Sequence, residues 1–348
     1  MTPSHSPDHA AITVSGLRKS YGDKHVLDGI DLHVPTGSIF SLLGPNGAGK
    51  TTTVQILSTL IAPDAGRVRI AGHDLAEEPR SVRAAIGVTG QFSAVDKLLT
   101  AEENLLLMAD LAHLGRSEGR RRASELLEAF DLADVAKGIA LTFSGGMLRR
   151  LDLAMTLVAR PRVIFLDEPT TGLDPRSRRA MWQVIRDLVA GGVTIFLTTQ
   201  YLEEADRLAD RIAVLDHGKL VAEGTAHELK RLVPGGGISL RFADVHGVER
   251  AARTLREATR DAGDPEALTL RVPGDGGVRA VRSLLDRLDA EAVEVSGLTV
   301  HTPDLDDVFL ALTGRPRAAT DDSTARATTD ATTADATTTQ AITEETVR

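Results

Sequence analysis

Gly44-Pro45-Asn46-Gly47-Ala48-Gly49-Lys50-Thr51 follows the apolar run Ser38 to Leu43 and precedes a helix-like run from Thr52 to Leu60. It fits the pattern G-x-x-x-x-G-K-[ST], in which a glycine-rich turn between strand and helix cradles phosphate groups. Glycines leave backbone N–H groups free to converge on an anion, and the helix that starts there adds its positive dipole end. Lys50 can reach β- and γ-phosphates as a point charge, and the Thr51 hydroxyl can ligate Mg²⁺. A glycine-rich turn without any ligand is the plain alternative. The strand-like and helix-like runs on either side favour nucleotide binding by Gly44 through Thr52.

The rest of the composition narrows the class. The chain has 348 residues, 42% hydrophobic and 26% charged, enough for two domains and a tail. Aromatics are only 3%, which argues against a stacking platform for single-stranded nucleic acid. A formal net charge of -9 argues against a general nucleic-acid surface. With no cysteine there is no disulfide framework, thiolate nucleophile or cysteine-held zinc. No apolar run approaches the roughly 20 residues that span a bilayer, so any membrane role is expected to come through a partner. Met1 to Ala10 is polar, contains Pro3 and Pro7, and is expected to be disordered rather than a signal peptide.

Ahead of the glycine-rich loop, Ile12, Val14, Leu17, Ile30, Leu32 and Val34 alternate in strand fashion, with a turn at Tyr21-Gly22. They predict an antiparallel sheet beside the loop. A short strand at Arg67 to Ala71 and another at Ile86 to Thr89 follow. From about 92 to 150 the pattern turns helical, opened by a capping box in which Thr100 is the N-cap and Glu103 reaches back. Val163 to Leu166 and Val193 to Leu197 are continuous apolar runs, predicting strands of a parallel sheet covered on both faces, with a helix from about Pro175 to Ala190 between them. Arg211 to Ala222 reads as a closing hairpin. Pro234-Gly235-Gly236-Gly237 is a linker, which bounds one domain at 11–233 and a small α/β accessory domain at 238–314. Its elements read as strands at Ile238 to Phe242, Leu268 to Val272 and Val293 to Val300, and helices at Val248 to Ala258, Val278 to Leu288 and Leu305 to Leu312. Residues 315–348 are an Ala/Thr/Asp mixture with almost nothing to bury and are expected to be disordered.

Two further stretches carry chemistry. Leu166-Asp167-Glu168-Pro169 ends a buried strand in two carboxylates. Asp167 suits Mg²⁺ or its water shell beside Thr51, and Glu168 stands where a carboxylate polarises water for attack on a γ-phosphate. Phe143-Ser144-Gly145-Gly146-Met147 places an N-capping serine before two side-chain-free N–H donors.

In this order the stretches resemble the ATP-binding cassette (ABC) family, the motor subunits of membrane transporters. The resemblance runs from about Ile12 to Leu232. It implies a cassette of parallel core, antiparallel subdomain and helical subdomain. It also implies ATP and Mg²⁺ as cofactors, and a homodimer that sandwiches two nucleotides. Tyr21 resembles the aromatic that stacks on adenine. Gln91 resembles the glutamine that joins catalysis and metal to the helical subdomain. Ser144, Gly145 and Gly146 resemble the signature that meets the opposite protomer's nucleotide, and Gly172-Leu173-Asp174 the loop across that interface.

Thr142 to Met147, Thr198 to Ala205 and Thr302 to Phe309 resemble more closely the daunorubicin-resistance subfamily, extending the coverage to about Gly314. That likeness implies an ATPase on the cytoplasmic face of the membrane, peripheral to it, powering drug export through a separately encoded permease. Met147 departs from the family's signature glutamine. Gln200 replaces its histidine near the γ-phosphate, keeping a hydrogen-bond donor while losing any proton relay. The alternatives are a non-transport ATPase of the same family and an ATP-dependent regulator. The single phosphate loop and the absence of a long heptad run weigh against the first, and the intact Glu168 against the second.

Overall fold

The computed structural model describes residues 10–90, 94–233, 236–260, 268–274, 277–301 and 303–314, all within one compact unit that ends at Gly314. Of the expected disordered ends, 1–10 and 315–348, Ala10 instead opens the first strand, while the others lie outside these residues, as do Gln91 and the Pro234-Gly235 part of the linker.

Strands β1 (Ala10–Tyr21) and β2 (Lys24–Pro35) form the expected antiparallel hairpin. Ile12 pairs with Val34, Val14 with Leu32 and Leu17 with Ile30, so the alternating apolar residues share one buried face. Next come β3 (Ile39–Leu43), helix α1 (Lys50–Leu57), β4 (Ala65–Ile70) and β5 (His73–Asp74). Strands β4 and β5 complete a sheet of order β2-β1-β4-β5.

After helix α2 (Pro79–Ala85) comes β6 (Ile86–Thr89). Helices α3 (Ala101–Leu111), α4 (Arg116–Ala129) and α5 (Gly145–Thr156) make up the expected helical part. The capping box is formed: Thr100 Oγ1 accepts from Glu103 N at 3.2 Å, and Thr100 N donates to Glu103 Oε2 at 2.8 Å. Strand β7 (Val163–Asp167), helix α6 (Pro175–Ala190), β8 (Thr194–Thr199), helix α7 (Leu202–Leu208), β9 (Arg211–Asp216), β10 (Lys219–Gly224) and helix α8 (Ala226–Lys230) follow. Helices α2 and α7, seven residues each, were not predicted, because they are too short to establish a helical period.

The central sheet has the order β10-β9-β3-β8-β7-β6, parallel throughout except for β10. Its three middle strands are buried along their whole length, as continuous apolar runs predict. Because side chains alternate along a strand, each run feeds two cores. Ile39, Ile164, Leu166, Ile195 and Leu197 join the helical side with Leu151, Trp182 and Ile185. Phe40, Leu42, Phe165 and Phe196 join the side of α1 and the antiparallel sheet. There Phe40 stacks on Phe196 with ring centroids 5.6 Å apart.

The C-terminal region contains β11 (Gly237–Arg241), α9 (Val245–Thr254), β12 (Thr259–Arg260), β13 (Thr269–Pro273), α10 (Val278–Ala290), β14 (Gly297–His301) and α11 (Leu305–Thr313). Its antiparallel sheet runs β12-β13-β11-β14 and shares a core with α9 and α10. Helix α9 begins three residues before the expected Val248, because Asp244 caps it by accepting from Gly247 N at 2.7 Å. It stops at Thr254, and the short strand β12 follows. Helix α11 belongs by sequence to the same region but buries Leu305 and Val308 elsewhere, against Leu43, Ala205, Ile212, Val214 and Leu229.

Leu305→Ala is therefore expected to lower the local stability of α11 by roughly 2–5 kcal/mol, the usual range for truncating a buried leucine. Hydrogen exchange should show α11 amides opening while those of β7 keep their protection. Equal loosening of both would mean that α11 is not a separately docked element.

Candidate functional site

The parallel register brings three strand ends to one edge. Leu43 pairs with Thr199, and Asp167 with Thr198, so β8 lies between β3 and β7. The glycine-rich loop leaves β3, Glu168 follows β7 and Gln200 follows β8. They meet around a cleft of about 500 Å³ lined by Asn46, Gly47, Gly49, Lys50, Thr51 and Thr52 on one side and Glu168, Thr171 and Gln200 on the other. Ligands sit at the carboxyl ends of strands in such sheets. Lys24 and Val26 of β2 complete the lining. Sequence reasoning missed both, as well as Thr171, since nothing in their local pattern tells a lining residue from an ordinary strand or turn.

The first ladder bond of α1 runs from Thr53 N to Gly49 O at 2.9 Å. The N–H groups of Lys50, Thr51 and Thr52 precede the ladder and form the helix's positive end. Gly49 has φ 114°, and a Cβ there would come within 2.7 Å of the Leu27 side chain and 2.9 Å of Val26 O. Only glycine lets the loop lie this close to β2. Gly44, Pro45 and Ala48 do not line the cleft but brace it. Lys50 Nζ donates to Gly44 O at 2.9 Å and Pro45 O at 3.2 Å, and Gly218 N donates to Ala48 O at 3.2 Å.

Lys50 is 5% exposed and its Nζ lies 3.7 Å from Glu168 Oε1. Burial pulls this ammonium below the usual lysine range, while Glu168 and then Asp167 pull it back. A desolvated cation at a helix N-terminus, beside an oxygen-rich strand end, suits a polyphosphate. Asp167 is 4% exposed and accepts a hydrogen bond from Thr198 Oγ1. Asp167 does not line the cleft, whereas Thr51 does; both carry hard oxygen donors of the kind that Mg²⁺ takes. Among the described residues no cluster of three or more His, Cys, Asp or Glu forms a self-sufficient metal cage.

Glu168 has φ 49°, a left-handed backbone that a non-glycine residue adopts at a cost of order 1–3 kcal/mol, typical of active sites. It is held there by Glu168 N donating to Thr198 O at 3.1 Å, while Thr171 Oγ1 donates to Glu168 Oε2 at 3.2 Å. The carboxylate is thus aimed into the cleft opposite the loop.

The remaining sequence candidates lie elsewhere. Tyr21 is 52% exposed at the end of β1, opposite Lys24, with Lys19 Nζ over its ring at 5.6 Å. Ser144 caps α5 by accepting from Met147 N at 3.3 Å. Asp174 caps α6 through Arg176 N at 2.9 Å and Ser177 N at 3.0 Å. Gly146 lies so close to the start of α6 that a Cβ would fall 2.8 Å from Ser177 Oγ. Ser144, Gly145, Gly146 and Asp174 therefore gather at the paired N-termini of α5 and α6, outside the cleft lining. Gln91 lies outside the described residues.

Comparison with known proteins agrees with this geometry. The family described as ABC transporter matches residues 27–171, which hold the phosphate loop, the helical part and Asp167-Glu168. A daunorubicin resistance ATP-binding protein, DrrA3 of Streptomyces coeruleorubidus, is 49% identical over 307 residues, covering 88% of this chain and 97% of that protein. The chain belongs to the ABC transporter family. The ABC relationship also extends to a Nod factor export ATP-binding protein of Rhizobium sp. (strain N33), 39% identical over 317 residues, 88% of this chain and 97% of that protein. A solved structure of an ATP-binding subunit of an ABC transporter superposes with a TM-score of 0.58 at 31% identity, over 64% of this chain and 92% of that one. As a member of that family the protein is an ATP-binding one.

Gly49→Ala is expected to cut ATP affinity at least about tenfold, or 1.4 kcal/mol, and to lower the melting temperature, since a Cβ meets Leu27 and the Val26 carbonyl. Calorimetry with ATP checks this, and unchanged affinity would mean that the loop need not lie against β2.

Proposed function

We propose that this ABC protein hydrolyses ATP as the motor subunit of an exporter of hydrophobic small molecules, acting as a homodimer on a separately encoded permease. The convergence of Lys50, Glu168 and Gln200 on one cleft carries the reading. In it, Lys50 and the N–H groups of the loop hold the β- and γ-phosphates. Thr51, Asp167 and Gln91 are the residues that would hold Mg²⁺, which when bound neutralises phosphate charge. Glu168 orients a water and takes its proton as the water attacks the γ-phosphorus and the bond to the ADP oxygen breaks. Gln200 donates a hydrogen bond towards the γ-phosphate, and Tyr21 stacks on adenine.

Ser144, Gly145, Gly146 and Asp174 act across the dimer, a role supported by their position away from their own chain's cleft. Closure of two such subunits then depends on ATP favouring the closed pair over the open one. No helix among the described residues is long and apolar enough to cross a membrane, and in this reading the permease provides the path. Its docking is supported by Leu98 and Leu141, 79% and 64% exposed, on neighbouring segments joined by Leu141 N to Lys97 O at 2.9 Å. The names of the resistance and export relatives support a drug-like cargo and an exporting direction.

Two substitutions test the chemistry. Lys50→Ala is expected to abolish productive ATP binding, and calorimetry showing unchanged affinity together with unchanged turnover would overturn the assignment. Glu168→Gln is expected to slow hydrolysis by roughly 10²–10⁴-fold, the usual loss for a general base, while leaving an ATP-bound dimer visible by size exclusion. Hydrolysis at the original rate would move water activation to another residue. A monomer that no longer turns over ATP, even with the permease present, would remove the dimer.

A further inference from the structure

Two adjacent arginines on α5 do different things. Arg150 turns towards the end of α4, where Nη1 donates to Phe130 O at 2.9 Å and pairs with Asp131 at 3.0 Å. Arg149 turns the other way, into the ends of the central strands. Its Nη1 donates to Gly90 O at 2.9 Å, its Nε to Pro169 O at 2.9 Å and its Nη2 to Asp167 O at 3.4 Å. Its partner Asp152, 3.3 Å away, accepts from Ala94 N at 3.0 Å through its other oxygen. The two side chains are 12% and 4% exposed. One guanidinium therefore binds three backbone carbonyls on two strand ends, and its counter-ion holds a fourth backbone group. Only a planar fork of donors matches that arrangement, and lysine does not reproduce it.

The placement has a mechanical consequence. Helix α5 begins at Gly145, about one turn before Arg149, at the junction where Gly146 meets the start of α6. A shift of that junction is carried along a rigid helix to Arg149. It reaches the carbonyls of Asp167 and Pro169, which flank Glu168. Gly90 and Ala94 are tied to the same pair.

We propose that Arg149 and Asp152 are positioning residues for hydrolysis, a rigid link through which the start of α5 sets the placement of Asp167 and Glu168. The proposal rests on the hydrolytic reading above. Neither side chain lines the cleft, so the pair acts through the backbone that it holds.

The test compares Arg149→Lys, Asp152→Asn and the control Arg150→Lys by turnover, by ATP affinity in calorimetry and by melting temperature. Arg149→Lys is expected to lower kcat about ten- to a hundredfold, the effect of small misplacement, while ATP affinity stays within about twofold. Asp152→Asn keeps an acceptor for Ala94 but loses the charge, and should lower kcat less; it carries the same test if Arg149→Lys does not fold. Arg150→Lys should leave kcat within about twofold at a comparable melting temperature. Turnover of Arg149→Lys at the original rate, an equal fall in affinity and kcat, or an equal loss in Arg150→Lys would overturn the proposal. If the unsubstituted protein shows no turnover, the hydrolytic reading is what fails. Hydrogen exchange then decides the link: faster exchange at Ala94 in both Arg149→Lys and Asp152→Asn supports it, and unchanged exchange overturns it.

Discussion

Three parallel strands, β3, β8 and β7, lie side by side with their carboxyl ends at one edge, and the position of β8 between the other two governs the site. Backbone hydrogen bonding fixes the register of Leu43 with Thr199 and of Thr198 with Asp167. That register places Gln200 between the phosphate loop and Glu168, although Gln200 comes last in the chain. The arrangement holds because each strand is apolar on both faces. Ile195 and Leu197 anchor β8 in one core, while Phe196 packs between Phe40 and Phe165 in the other. A strand clamped from both sides has no freedom to slip by one residue without reversing its cores.

A desolvated cation and one left-handed, non-glycine backbone position lie where those strands end. Lys50 is desolvated and leans on loop carbonyls and Glu168, while Glu168 itself occupies a left-handed backbone held by Thr198. Both features cost stability, and the surrounding cores offset the cost. Their result is a cation and a carboxylate 3.7 Å apart, both lining a cleft of about 500 Å³.

The surrounding elements are tied to this edge from different directions. Helix α5 grips the ends of β6 and β7 through Arg149 and Asp152. Helix α11 belongs by sequence to the C-terminal region but buries Leu305 and Val308 with Leu43, which precedes the loop, and Ala205, which follows Gln200 in the chain. Regions distant in sequence therefore share cores or hydrogen bonds with the segments that carry the chemistry.

Much of this was legible in the sequence, wherever the cause is local. The phosphate loop, the Thr100 capping box, the Ser144 N-cap, the extent of α6 and the doubly buried strands follow from spacing, residue type and flanking turns. Helix α9 was displaced and β12 missed because a cap at Asp244 and a long-range pairing with β13 outweighed the local pattern. The cleft-lining roles of Lys24 and Val26, the division of labour between Arg149 and Arg150, and the docking of α11 were not legible. The sequence determined which chemical groups the protein carries and which segments can form buried strands, because propensity, burial and capping act within a few residues. The tertiary structure alone decided which of those groups meet, because strand order and helix docking depend on contacts between residues far apart in the chain.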